Sequence, residues 1–226
     1  FLQILNSDGS AAAACGNGTR CVADHIMGKL GQDRLAIETD AGILQSWRAV
    51  EYPDQISVDM GSAYLDWAAV PLANEANTLS VDLGPPAPVP AVCHSVGNPH
   101  AVLFVDDAEA IDLDNVGPPL EHHPLFPERA NISFAHQIGP NKFRMRVWER
   151  GVGITSACGS GACAVGVAVH RSGRGSRNTE IIMDGGSAFI HWQDDGTVGG
   201  RVIMRGPVDY VFDGILSPNL IGLLRA

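Results

Sequence analysis

Apolar residues recur along this chain at two periods, and the switching between them predicts its elements. Strand-like Phe1-Leu-Gln-Ile-Leu5 opens the chain. After a Cys-Gly-x-Gly turn, Cys21, Val22, His25, Ile26 and Leu30 return at helical spacing, predicting an amphipathic helix over about 18–30 that ends near Gly31. Short β-like runs follow at 35–39, 43–50 and 56–60, divided by Asp40-Ala41-Gly42 and Tyr52-Pro53-Asp54 turns. The stretch from Gly84 to Pro90 is too rich in proline for helix or central strand and reads as an exposed connector. Beyond it, strand-like runs at 91–96 and 101–105 flank Gly97-Asn98-Pro99-His100, and 143–148 alternates apolar with basic or aromatic residues. A second Cys-Gly-x-Gly turn leads into 162–170, apolar almost all round, which predicts a helix inside a wrapping sheet. Strands near 179–183, 188–192, 202–204 and 208–212 close the chain, so the class is α+β with one central helix in each half.

Composition narrows the function. The chain has 226 residues, enough for one large or two small domains, and 45% hydrophobic with 18% charged residues is ordinary for a globular protein. A net charge of −10 without a basic run argues against nucleic acid and anionic membrane as partners and leaves room for a small polar substrate. No run reaches the roughly 18 apolar residues needed to span a bilayer. Five cysteines, an odd number over a long chain, argue for reduced thiols and a cytoplasmic protein.

The strongest chemical signal is the matched pair Cys15-Gly16-Asn17-Gly18 and Cys158-Gly159-Ser160-Gly161. Each sets a thiol where a glycine loop enters a helix, a position that favours the thiolate and offers backbone N–H groups to a carboxylate. Inert buried thiols are the ordinary alternative for a single cysteine; two in matched turns favour chemistry. Zinc is poorly supported, because no Cys-x-x-Cys pair exists, and a Schiff-base cofactor has only Lys29 and Lys142 to choose from. Two facing thiols, one ionised, could remove a proton from a stereogenic carbon and return one from the opposite face, with no cofactor. His100 and Glu149 are candidate bases or orienting groups, and Arg150 a carboxylate grip. Asn6, Asn98 and Asn131 suit a ligand with both ammonium and carboxylate groups. Cys21 and Cys163 lie inside the helices and read as packing residues.

Taken together the motifs resemble those of the diaminopimelate epimerase family. Asn6-Ser-Asp8-Gly9-Ser10 with Cys15 to Cys21, Gly97 to His100, Glu128 to Asn131, and Glu149-Arg150-Gly-Val-Gly153 leading to Cys163 fall in order over nearly the whole chain. The resemblance implies two pseudo-symmetric lobes, each a curled, mostly antiparallel sheet around a central helix, with the active site in the cleft between them. The first lobe is expected to take residues 1–60 with 204–226 and to be incomplete at its N-terminus, and the second to take 61–203. Carried over by position, Cys15 and Cys158 are the acid/base pair assisted by His100 and Glu149. Asn6, Asn98, Asn131 and Arg150 bind the distal end of diaminopimelate, and the N–H groups of Gly16, Asn17, Gly159 and Ser160 hold the reacting carboxylate. The implied reaction converts LL-2,6-diaminopimelate to the meso form for lysine and peptidoglycan synthesis, without cofactor or metal, in a homodimer. Two departures stand out: Ile154 replaces the family's glutamate, and a Gly-Asn-Asp-Phe segment has no counterpart. They leave open a related racemase for another amino acid, or an incomplete non-catalytic paralogue.

Overall fold

The computed structural model describes residues 1–5, 9, 11–12, 15–40, 42–215 and 217. Strands β1 (Ile4–Leu5) and β2 (Ala11–Ala12) pair antiparallel ahead of helix α1 (Gly16–Leu30). Then come β3 (Arg34–Thr39), β4 (Gly42–Ala49) and β5 (Tyr52–Asp59), an antiparallel meander. An irregular stretch leads to β6 (Val92–Ser95), β7 (Pro99–Phe104), helix α2 (Leu113–Glu121), β8 (Asn131–Gly139), β9 (Lys142–Glu149) and β10 (Gly153–Ile154). Helix α3 (Gly159–Arg171) precedes β11 (Asn178–Met183), β12 (Gly186–Gln193) and β13 (Arg201–Pro207).

Among the described residues eleven strands share one sheet, ordered β3-β4-β5-β13-β12-β11-β9-β8-β7-β6 with β10 beside β9. Its pairings are antiparallel except β9 with β11 and β7 with β8, which matches the expected mostly antiparallel α+β architecture. Residues Gly161 to Val169 of α3 are buried on every side, because the sheet curls until seven strands, β6 to β9 and β11 to β13, touch that helix. By contrast α1 is amphipathic. It lays Ala23 and Met27 on Ile37, Leu44, Ile56 and Val58 of β3 to β5. The β13–β5 pairing, Ile203 to Pro207 against Asp59 to Gln55, stitches the two helix-bearing halves together, and Met60 packs against both cores. A third cluster lies on the other face of β6 to β9 under α2.

Both central helices are where periodicity predicts them, each starting two or three residues earlier because the glycines of the turn join the first helical turn. The structure corrects two other expectations and adds two elements that the sequence did not announce. Residues 208–212 form no strand: the pairing of β13 with β12 ends at Arg205 and with β5 at Pro207, and β propensity without a partner strand orders nothing. The turn expected at Tyr52-Pro53-Asp54 lies instead at Val50-Glu51, with Pro53 inside the end of β5. Helix α2 is disguised by Pro118 and Pro119 in its last turns, where few N–H bonds are lost. Strand β8 alternates Ile132 and Phe134 with Asn131, Ser133 and Ala135, all buried, so both faces are covered and the polar set points toward α3.

Helix α2 seats itself on Trp148 at Gly117, where an added Cβ would lie 2.4 Å from the indole ring. Gly117→Ala is therefore expected to lower unfolding free energy by about 1–3 kcal/mol through overpacking. An unchanged urea midpoint and slope would show that α2 is not seated this way.

Candidate active site

Each central helix begins on its own cysteine. Cys15 is the N-cap of α1, with extended φ and ψ of −142° and 103°, and its sulfur accepts the Gly18 N–H at 3.5 Å. Cys158 repeats this at α3, with −122° and 107°, accepting the Gly161 N–H at 3.3 Å. The sulfur does the work a serine or aspartate oxygen does at most N-caps, and the glycine-rich turn lets it reach the third helical N–H. Remaining N–H groups of each first turn have no intrahelical partner and carry the positive end of the helix dipole.

The two turns meet over one side chain. A Cβ on Gly16 would lie 2.2 Å from Met204 Cε, and one on Gly159 would lie 3.3 Å from Met204 Sδ and 3.6 Å from Asn17 Oδ1. Met204 of β13 thus floors both helix N-termini, and only a glycine fits at Gly16 without displacing it. This convergence is the observation on which a shared site depends.

Around Cys158 a polar chain runs back to the β6–β7 hairpin, whose tip turns at Gly97 with φ +100°. His100 Nε2 lies 2.9 Å from Asn98 Oδ1, Asn98 Nδ2 donates to Ser160 Oγ at 3.4 Å, and Ser160 Oγ stands 3.6 Å from Cys158 Sγ. From the other side Glu149 lies against the Cys158 thiol and accepts a hydrogen bond from Thr155. Asn131 is occupied by backbone: its Nδ2 donates to Pro99 O at 3.1 Å, and its Oδ1 accepts Arg150 N–H at 3.0 Å. The Arg150 side chain donates to Glu128 O at 3.1 Å. Glu121, which sequence reasoning passed over, accepts Trp148 Nε1 at 2.7 Å and Gly151 N at 2.8 Å and so pins the turn after Arg150. Thr155 and Met204 were also missed, since neither type announces chemistry. Asn6 lies outside the described residues.

The electrostatics correct one expectation. A helix N-terminus alone would favour a thiolate at Cys158, yet burial, and then the neighbouring Glu149 charge, push its pKa up to about 12. Cys158 is 4% exposed and is a thiol at neutral pH, whereas Cys15 is partly exposed. His100 is fully buried, and burial with the nearby Arg150 charge drives its pKa down to about 3, so the imidazole is neutral. Among the described residues no three His, Cys, Asp or Glu side chains cluster in a way that could hold a metal. A surface concavity of about 690 Å³ between β4, β5 and β11 to β13 is lined by Trp47, Tyr52, Phe189 and Arg205 and includes neither cysteine.

The sequence profile of diaminopimelate epimerase matches residues 1–65 and 92–211, which contain both Cys-Gly-x-Gly turns and the hairpin. The chain belongs to the diaminopimelate epimerase family. It is 50% identical over 222 residues to the diaminopimelate epimerase of Acidiphilium cryptum (strain JF-5), covering 98% of this chain and 78% of that protein. With the diaminopimelate epimerase of Rhodospirillum centenum the identity is 49% over 221 residues, covering 98% and 74%. Among solved structures, a probable proline racemase from Agrobacterium radiobacter K84 superimposes with a TM-score of 0.61 at 14% identity, over 93% of this chain and 71% of that one. A hydroxyproline epimerase from Agrobacterium vitis gives 0.61 at 15% identity, over 91% and 66%. At such low identity these two share the fold of the diaminopimelate epimerase family and establish nothing further.

A pKa near 12 leaves Cys158 about a thousandfold less ionised near neutrality than an unperturbed cysteine. Iodoacetamide at pH 8 is expected to spare Cys158 in the folded chain and modify it readily in urea, read by peptide mass mapping. Glu149→Gln removes a neighbouring negative charge and is expected to speed that alkylation about tenfold. Equal rates in folded and unfolded chains would contradict this electrostatic account.

Proposed function

We propose that this chain interconverts LL-2,6-diaminopimelate and its meso isomer by passing protons between two thiols. The observation that carries the reading is the convergence of the two cysteine-capped helices over Met204. Because Cys158 is buried beside Glu149 and protonated at rest, it is the proton donor, and the base is Cys15 as thiolate. Cys15 takes the α-proton as the C–H bond breaks and an S–H bond forms. The electron pair left on carbon then takes the Cys158 proton from the opposite face, leaving that sulfur as thiolate. Run in reverse, the same two steps return the LL isomer.

The carbanion step places charge on the substrate carboxylate, so groups that bind it gain most in the transition state. First-turn N–H groups of Gly16, Asn17, Gly159 and Ser160 fill that role in the proposal. His100 and Glu149 orient the Cys158 side, while Asn6, Asn98, Asn131 and Arg150 grip the distal amino-acid end. The bond from the Arg150 main-chain N–H to Asn131 Oδ1 supports such a grip on the Asn131 side, because it holds that amide in place before ligand arrives. A second reading keeps the chemistry and changes the substrate. Ile154, 42% exposed on β10, stands where the family has a glutamate, and a panel of amino acids would separate the two.

The chain is also proposed to act in the cytoplasm as a homodimer. No described helix is long and apolar enough to cross a membrane. Arg205 lies between the rings of Tyr52, 3.8 Å from its centroid, and Phe189, 4.8 Å away, on an open sheet face suited to a second copy.

In heavy water LL-diaminopimelate is expected to gain deuterium at one α-carbon as it converts, followed by mass spectrometry. Cys15→Ala and Cys158→Ala should each slow conversion by about 10²–10⁴-fold. Failure of the unaltered chain to exchange any deuterium would reject the reading. Sedimentation velocity at micromolar concentration should show a dimer, and a monomer would reject that part.

A further inference from the structure

His94 belongs to none of the motifs above, yet it is fully buried with both ring nitrogens lacking a hydrogen-bond partner. It sits on β6 directly opposite His100 of β7 in the antiparallel register. Side chains in such a pair have Cβ atoms about 4.5–5.5 Å apart. Both rings share the face of Val92 and Val102, which packs on α3. The backbone of Ala164 on α3 also lies at the His94 ring, outside strict hydrogen-bond geometry yet near enough to compete for its one N–H.

The contacts as placed fit one His100 tautomer. Asn98 commits its Nδ2 to Ser160 Oγ, so the atom facing His100 Nε2 at 2.9 Å is the amide oxygen, and a lone acceptor needs an N–H opposite it. His100 is therefore protonated on Nε2 and bears a lone pair on Nδ1, which is buried without a partner. Burial holds both imidazoles neutral, assisted by the Arg171 charge near His94 and the Arg150 charge near His100. A neutral imidazole has one N–H to give. A buried acceptor that finds no donor keeps the full cost of losing its water.

We propose that His94 is a positioning residue that donates to His100 Nδ1, after a small ring rotation or through one water, and so locks the tautomer that orients Asn98, Ser160 and the Cys158 sulfur. With Nε2–H held on Asn98, the Asn98 amide cannot flip. Ser160 then receives an N–H on its oxygen and keeps its own hydrogen for Cys158 Sγ. If His100 took the other tautomer, Nε2 would accept, Asn98 would turn its NH₂ toward it, and Ser160 would lose that donor. The idea rests on the epimerase reading for its consequence in turnover but not for the tautomer itself. The rival donor on the same face is the hydroxyl of Ser133, also buried and without a partner.

The test uses the ¹⁵N-labelled full chain without ligand and reads the two ring nitrogens of His100 by long-range ¹H–¹⁵N correlation. The unaltered chain should show Nε2 protonated and Nδ1 as a hydrogen-bonded acceptor. His94→Val should move the Nδ1 resonance toward a free acceptor or average the two nitrogens, His94→Gln should restore the original pattern in part, and Ser133→Ala should leave it alone. In the deuterium assay, His94→Val should lower kcat about three- to tenfold with KM little changed, the size of one net hydrogen bond expressed as a rate. Identical His100 resonances in the unaltered and Val forms would overturn the proposal, as would a shift with Ser133→Ala alone. Should Val prevent folding, the Gln form decides: loss of the Nε2-protonated signal there overturns it. A His100 response in a chain that does not turn over diaminopimelate would sustain the tautomer lock and sink the epimerase reading instead.

Discussion

The first N–H groups of a helix have no acceptor within it, and in both central helices a cysteine sulfur takes one of them. The rest of the site depends on this. A sulfur is a weak acceptor and such a cap contributes little energy, but it holds each sulfur within one turn of the unpaired N–H groups. A thiol and a row of unpaired N–H groups are then inseparable, because one stretch of backbone makes both. The glycine after each cysteine completes the constraint by letting both helix ends rest on Met204.

Repeating a motif does not repeat its electrostatics. Helix α1 lies on an open meander and leaves Cys15 partly exposed, while α3 is enclosed by seven strands and takes Cys158 almost fully out of water. Desolvation penalises the charged form of a thiol more than one helix end can repay, and Glu149 adds to the penalty. Two chemically equal turns thereby acquire unequal burial, and at Cys158 that burial holds the proton on the sulfur.

The polar groups near Cys158 are held by bonds to backbone as much as to one another. Asn131 ties β7 to the end of β9, and Glu121 ties α2 to the turn after Arg150. Such tethers raise the cost of rearrangement and keep side chains aimed while the site is empty. Ordering them in advance means that ligand binding has less conformational entropy to supply.

Local pattern alone determined the two central helices, most strands and the pair of cysteine turns, because helical and strand periods and glycine-rich turns are written in neighbouring residues. Order and spacing of the motifs also carried the family. Helix α2 was invisible because its prolines argue against helix until Gly117 is seen seated on Trp148, and β8 because its inward polar residues belong to a site assembled from distant strands. The run at 208–212 had the propensity of a strand and no neighbour to pair with. Only tertiary structure could decide that Met204 floors both turns, that Cys158 is the more buried sulfur, and that His94 faces His100. Each of these depends on which atoms of remote segments displace water around a side chain, and desolvation is a property of the enclosure and not of the residue.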